Sequence, residues 1–216
     1  EIDYAAREEL VEHLLATCTS AIVVAGTTGE SPTLEDSEKK DLLKATIKLV
    51  NGRAKVIMGT GSNITAKSIK ATKEAEALGA DGALVVAPYY NKPSQAGLLA
   101  HFGAVAEASD LPIIMYNIPG RTGINMAVET ILELADKYKN IVAVKDSTGN
   151  VDQASDIAAK APETFRIYSG DDNMTLPFLS VGACGVISVA SHLVGDEIKS
   201  MADKFFAGNL DQARSL

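Results

Sequence analysis

Lys145 closes the apolar run Asn140-Ile141-Val142-Ala143-Val144. An ammonium group carried to the end of such a run loses hydration, and desolvation disfavours its charged form. The neutral amine that results is the nucleophile needed to attack a carbonyl and form a Schiff base. Tyr116 ends Ile113-Ile114-Met115 in the same manner, and a phenol beside an imine-forming lysine can relay protons while a carbinolamine loses water. The turn Gly26-Thr27-Thr28-Gly29 leads into a helical stretch, so its amides and hydroxyls suit a carboxylate. Arg121, in Pro119-Gly120-Arg121-Thr122-Gly123, offers a bidentate grip for a second carboxylate. Each residue also has a plainer reading: a solvated or Asp146-paired lysine, a core tyrosine with its hydroxyl at the rim, an ordinary Gly-rich turn, a surface arginine.

Other chemistry-bearing residues form no pattern. His13 and His101 fall in helical stretches and read as surface or half-buried residues, while His192 is placed near the strand ends. Asp171 and Asp172 are adjacent but have no third ligand at metal-binding spacing, so capping or loop fixing is expected, and no metal site. Cys18 and Cys184 also lack metal-ligand spacing; each borders an apolar run and is predicted to be a buried, reduced thiol.

The elements that must carry these groups recur regularly. Apolar, β-branched runs at Ala21 to Ala25, Lys55 to Met58, Ala83 to Ala87, Pro112 to Tyr116, Ile141 to Val144, Phe165 to Tyr168 and Gly185 to Ala190 give seven candidate strands. Being continuous rather than alternating, they suggest a parallel sheet covered on both faces. Helical stretches separate them. Thr33 precedes an acidic first turn, Thr65 precedes a helix ending at Gly79, and residues 125–138 carry Ile131, Leu132 and Ala135 at helical spacing. An opening helix, about Ala5 to Ala16, comes before the first strand. Polar residues and glycines gather at the C-terminal ends of the strands, where the loops of parallel α/β sheets and barrels converge on a site.

Composition narrows the function. With 216 residues and a net charge of -8, the chain has no basic stripe for a phosphate backbone, which argues against nucleic-acid binding. No apolar run approaches the roughly 20 residues of a membrane span, and the residues at the start have no signal-peptide character, so a cytoplasmic location is expected. No linker interrupts the series, and residues 1–216 read as a single domain. The length falls short of the roughly 250 residues of a typical (β/α)8 TIM barrel. A helix leading the series implies a missing first strand, so the expectation is an incomplete barrel, open along its first and last strands.

Taken in order, the motifs resemble a known family. Gly26-Thr27-Thr28-Gly29-Glu30-Ser31, Pro88-Tyr89-Tyr90-Asn91-Lys92-Pro93, Tyr116-Asn117-Ile118-Pro119-Gly120-Arg121-Thr122-Gly123, Val144-Lys145-Asp146-Ser147-Thr148-Gly149, Ser169-Gly170-Asp171 and Gly185-Val186-Ile187-Ser188 are similar to the successive motifs of the pyruvate-dependent class I aldolases, in particular their dihydrodipicolinate synthase branch. The resemblance implies a TIM barrel in which Lys145 forms a Schiff base with pyruvate. It implies that Tyr116 is the proton-relay phenol, linked through Thr27 to Tyr90, which in the family reaches into a neighbouring subunit. Thr28 would hold the pyruvate carboxylate, Arg121 the carboxylate of aspartate semialdehyde, and Gly170 and the Ile187 carbonyl would line the pyruvate pocket. The implied reaction gives 4-hydroxy-tetrahydrodipicolinate, in lysine and diaminopimelate biosynthesis, with no cofactor and with a homotetramer built as a dimer of dimers. Thr27, the Tyr89-Tyr90 pair and Arg121 favour this branch over N-acetylneuraminate lyase-like or 2-keto-3-deoxy sugar acid aldolases. Against the family's pattern, the first strand and a C-terminal helical region are absent from the chain, so an inactive barrel fragment is the third reading.

One departure concerns regulation. Lysine-inhibited members carry histidines and a glutamate at positions that look like Asp36, Lys39 and Lys67 here, although Ser31, Asn63 and Tyr89 are retained. A basic residue in place of the glutamate repels the amino group of lysine. Weak or absent inhibition by L-lysine is therefore predicted; titrating activity with L-lysine at near-physiological concentration checks it, and strong inhibition contradicts it.

Overall fold

The computed structural model describes residues 2–216. Helix α1 (Tyr4–Ala16) opens the chain and is followed by β1 (Ala21–Val24), α2 (Asp36–Val50), β2 (Lys55–Gly59), α3 (Thr65–Ala77), β3 (Gly82–Val86), α4 (Gln95–Ala106) and β4 (Ile113–Asn117). After a short helix α5 (Pro119–Thr122) come α6 (Val128–Lys137), β5 (Ile141–Asp146), α7 (Val151–Lys160), β6 (Arg166–Ser169), α8 (Thr175–Ser180), β7 (Gly185–Val186), α9 (Ser191–Phe206) and α10 (Leu210–Arg214). The seven strands form one parallel sheet in chain order. Each strand–helix–strand unit therefore places the next strand beside the last, which brings all strand C-termini to one rim.

Side chains alternate between two apolar layers. Residues such as Val56, Val85, Met115, Ile141 and Val144 face outward and pack with Leu43, Leu98, Phe102, Ile131 and Ile157 of the helices. Leu84, Ile114, Tyr116 and Ala143 face inward and form a smaller cluster with Val23, Ile57 and Ile187. Fully burying a side chain such as Leu98 or Ile131 contributes about 1.5–3 kcal/mol, so the outer layer dominates the stability.

The continuous burial expected of all strands holds for the central ones; every residue of β4 is buried. On β1, β2 and β6 burial alternates, because Val23, Ile57 and Tyr168 face an interior left open between β7 and β1. The ring of helices closes where the ladder does not. Helix α9 packs against α1, His13 Nε2 lies 3.0 Å from the His192 carbonyl, and a Cβ on Gly195 would stand 2.9 Å from the Thr17 carbonyl oxygen.

Several sequence expectations need correction. The last strand is only Gly185–Val186, not Gly185 to Ala190, because residues 188–190 bond to the Asp172 carboxylate instead of a neighbouring strand. Thr33 ends a 3-10 turn and does not cap α2; Glu35 is the N-cap, its amide donating to Glu38 Oε2 at 2.9 Å. Cys18 and Cys184 are exposed, since both sit in the turns before their strands. His101 is only 4% exposed, on the face of α4 turned toward α3, where Nδ1 meets Thr65 Oγ1 at 2.9 Å.

Burial lowers the pKa of His101 to about 4. The neutral ring is favoured in the folded state, whereas the unfolded chain takes up a proton near pH 6.5. Its contribution is complete above pH 6.5 and is lost as pH falls toward 4. Denaturant titrations should show about 3 kcal/mol of acid-dependent destabilisation over that window that His101→Asn removes.

Candidate active site

The pairing of β4 with β5 decides where Lys145 points. Ile113 is opposite Ile141, yet Ile114 is opposite Ala143, so β5 carries one extra residue at this step. Val142 and Ala143 consequently both join the inner layer. Beyond this bulge the alternation resumes one residue out of phase, with Val144 outward and Lys145 inward. Without the bulge, strict alternation from Ile141 would have sent Lys145 into the helix layer.

With it, Lys145 lies directly beside Tyr116 in the ladder, and Nζ sits over the phenol ring 4.4 Å from its centroid. Both residues are nearly sealed from solvent, Lys145 at 9% and Tyr116 at 6% exposure. Desolvation lowers the lysine pKa to about 8, opposed by the negative charges of Asp171 and Asp172. Lys145 forms no salt bridge among the described residues, and Asp146, its alternative partner, faces away with Oδ1 accepting from the Thr148 amide at 2.8 Å. A shift from 10.5 to about 8 makes the neutral amine about 300 times more abundant at pH 7. Burial pushes the Tyr116 phenol upward, partly offset by the Ser147 hydroxyl. The pair is thus a basic amine against a phenol that keeps its proton at neutral pH.

Gly170 supplies the room this pair needs. It follows β6, its amide donating to the Asp146 carbonyl at 2.8 Å. A Cβ there would lie 1.9 Å from Ser147 Oγ and 2.9 Å from Lys145 Cε. Ile187 borders the same inner cluster, and its amide donates to the Ser169 carbonyl at 2.9 Å. The segment after it is fixed by Asp172, whose carboxylate accepts from the Ser188 hydroxyl and from the Ala190 amide at 3.0 Å. Asp172 therefore fixes a loop, as expected from sequence.

The remaining predicted residues stand farther out on the rim. Thr27 and Thr28 are exposed in a turn closed by Gly29 N to Gly26 O at 3.1 Å and Glu30 N to Thr27 O at 3.1 Å. Thr27, Tyr90, Tyr116 and Arg121 line one cavity of about 1140 Å³. Lys145, Thr28, Gly170 and Ile187 are not part of its lining. No side-chain hydrogen bond links Thr27 to Tyr116 or Tyr90 among the described residues. Tyr90 is 90% exposed with a left-handed φ of 72°. Asp36, Lys39 and Lys67 border this same cavity together with Ser31 and Tyr89.

The family model described as Dihydrodipicolinate synthetase family covers residues 1–216. The chain belongs to this family. It is 58% identical to the 4-hydroxy-tetrahydrodipicolinate synthase of Listeria welshimeri over 208 residues, covering 96% of this chain and 71% of that protein. It is 48% identical over 216 residues to 4-hydroxy-tetrahydrodipicolinate synthase 1 of Halalkalibacterium halodurans, covering 73% of it. Among solved structures, a dihydrodipicolinate synthase of Bacillus anthracis superposes with a TM-score of 0.97 at 47% identity, over 100% of this chain and 73% of that one. The Cyanidioschyzon merolae enzyme with lysine bound gives 0.98 at 50% identity, over 100% and 73%.

The seven strands are thus the wall of the family's TIM-barrel fold, with Lys145 and Tyr116 on its inner face. Sequence reasoning missed Ser147. Its signal was present: it stands two residues beyond Lys145, one past the end of β5, and in extended backbone that spacing shares the lysine's side. Its buried Oγ lies beside the Tyr116 phenol, whose upward shift it moderates, and borders the space that Gly170 leaves open. Gly170→Ala should displace the lysine or Ser147 by a large fraction of an ångström and slow pyruvate-dependent chemistry on the order of a hundredfold. Single-turnover kinetics on the folded variant measures this, and a near-normal rate would contradict it.

Proposed function

We propose that the chain condenses pyruvate with L-aspartate 4-semialdehyde to give 4-hydroxy-tetrahydrodipicolinate, the product for which its relatives are named. The observation that carries the reading is a lysine with a pKa lowered to about 8, seated 4.4 Å from the ring of a protonated phenol.

In this reading Lys145 Nζ uses its lone pair to attack the pyruvate keto carbon, and the carbonyl oxygen takes up a proton to become the carbinolamine hydroxyl. Tyr116 donates the proton with which that hydroxyl departs as water, leaving the imine. The imine is an electron sink, so loss of a methyl proton gives an enamine. Its carbon attacks the aldehyde carbon of the second substrate, whose oxygen is protonated. Transimination by the substrate amine and cyclisation then release product and restore Lys145.

The Thr28 amide holds the pyruvate carboxylate, Gly170 and the Ile187 carbonyl bound the space around it, and Arg121 receives the carboxylate of the aldehyde at the mouth. Thr27 passes protons between Tyr116 and Tyr90. Such a relay requires Thr27 and Tyr90 to close inward from the rim, and the 90% exposure of Tyr90 suits a tyrosine that projects toward another subunit of a homotetramer. A single domain supplies the rest of the site. Among the described residues no helix is long and apolar enough to cross a membrane, and the small, charged substrates fit a cytoplasmic enzyme.

Borohydride reduction in the presence of pyruvate, followed by peptide mass mapping, should place a pyruvate adduct on Lys145 and on no other lysine. The trapping rate should rise with pH, reach half its limit near pH 8 and level off about a pH unit above that, because the attacking form is the neutral amine. Lys145→Arg should give no adduct. A folded wild-type protein that traps no pyruvate would overturn the reading.

A further inference from the structure

Residues 123–127 form neither helix nor strand, and they follow the short helix that carries Arg121. Side chains hold their backbone. Asn117, fully buried at the end of β4, accepts from the Met126 amide at 3.1 Å through Oδ1 and donates to Asn125 Oδ1 at 2.8 Å through Nδ2. Asn125 Nδ2 donates to Gln153 Oε1 of α7 at 2.8 Å, and Gln153 Nε2 donates to the Met126 carbonyl at 3.1 Å. Gln95, first residue of α4, donates through Nε2 to the Asn125 carbonyl at 2.9 Å. Its Oε1 accepts from the Ala127 amide at 3.0 Å and from Thr130 Oγ1 at 2.7 Å. Nearer Arg121, the Thr122 hydroxyl lies 3.0 Å from the Ile118 carbonyl and 2.9 Å from the Ile124 carbonyl. Primary amides carry both donors and an acceptor, so four of them can tie β4, α4, α6 and α7 to one loop without introducing charge.

We propose that Gln95, Asn125 and Gln153 are positioning residues for the second substrate: by anchoring residues 125–127 they fix the C-terminal side of the segment that carries Arg121, and so the place where its guanidinium meets the aldehyde's carboxylate. The proposal rests on the synthase reading above. Arg121 is exposed on a helix of four residues and forms no salt bridge among the described residues, so its aim depends on the backbone it springs from. Lys145 and Tyr116 are held instead by the strand ladder and the inner layer. The network should therefore govern capture of the aldehyde and leave imine formation alone.

Three variants test this: Gln95→Ala, Asn125→Ala, and Gln95→Glu, which keeps the acceptor for Ala127 and Thr130 but loses the donor to the Asn125 carbonyl. Gln95→Ala and Asn125→Ala should raise KM for aspartate semialdehyde roughly tenfold with kcat changed less than about threefold, and pyruvate trapping by borohydride should be unchanged. Gln95→Glu should fall between wild type and Gln95→Ala. A role in stability alone would lower the melting temperature without separating KM from kcat. Gln95 is partly exposed at a helix start, so its variants decide the matter even where Asn125→Ala fails to fold. Unchanged KM, or loss of the pyruvate adduct in step with the rise in KM, would overturn the proposal. Wild-type protein that traps no pyruvate overturns the synthase reading, and with it the role assigned to the network.

Discussion

The site depends on one extra residue in the pairing of β4 with β5. Because side chains alternate strictly along a strand, the ladder has only two choices for Lys145, the helix layer or the interior. The doubled inward step at Val142 and Ala143 selects the interior. It also selects the neighbour, since the ladder partner of Lys145 is then Tyr116, itself inward on β4. A bulge is a local feature, yet here it determines which two reactive groups share a desolvated space.

Within that space two opposing effects set the lysine's state. Burial against the Tyr116 ring and beside Gly170 favours the neutral amine, while Asp171 and Asp172 favour the cation. Burial wins by a margin that leaves the pKa at about 8, so proton uptake and release both remain accessible near neutral pH. Asp172 has a second function in the same region. It replaces the ladder that β7 lacks beyond Val186, holding residues 188–190 through its carboxylate, and this stabilises the wall beside Ile187. One carboxylate thereby couples loop geometry to the field at the lysine.

Much of this was legible before folding. The repeating apolar runs marked all seven strands, and the concentration of Gly, Tyr, Lys and Asp at their ends marked the rim, because parallel strands must end together there. Strand limits were right to within about one residue except at β5, which runs two residues further, through Lys145 to Asp146, and at β7, where Val189 and Ala190 continue the apolar pattern while side-chain bonding takes over from the sheet. His101 and the cysteines were misplaced for a common reason. Their burial depends on which side of a helix or turn meets a neighbour, and single residues do not report that. Ser147 was readable from its two-residue spacing to Lys145, whereas the amide network was not: Gln95, Asn117, Asn125 and Gln153 are scattered polar residues until four elements bring them together.

By itself, then, the sequence determined the order of elements, the parallel barrel wall and the residue types that reach its C-terminal rim. These follow from local periodicity, turn chemistry and the requirement to cover apolar faces. Only the tertiary structure decided that Lys145 faces inward, that it stands against Tyr116 rather than Asp146, and that Gly170 leaves space for both. Those outcomes rest on strand register and on close contacts between residues far apart in the chain, set by the packing of whole elements and not by the preferences of the residues concerned.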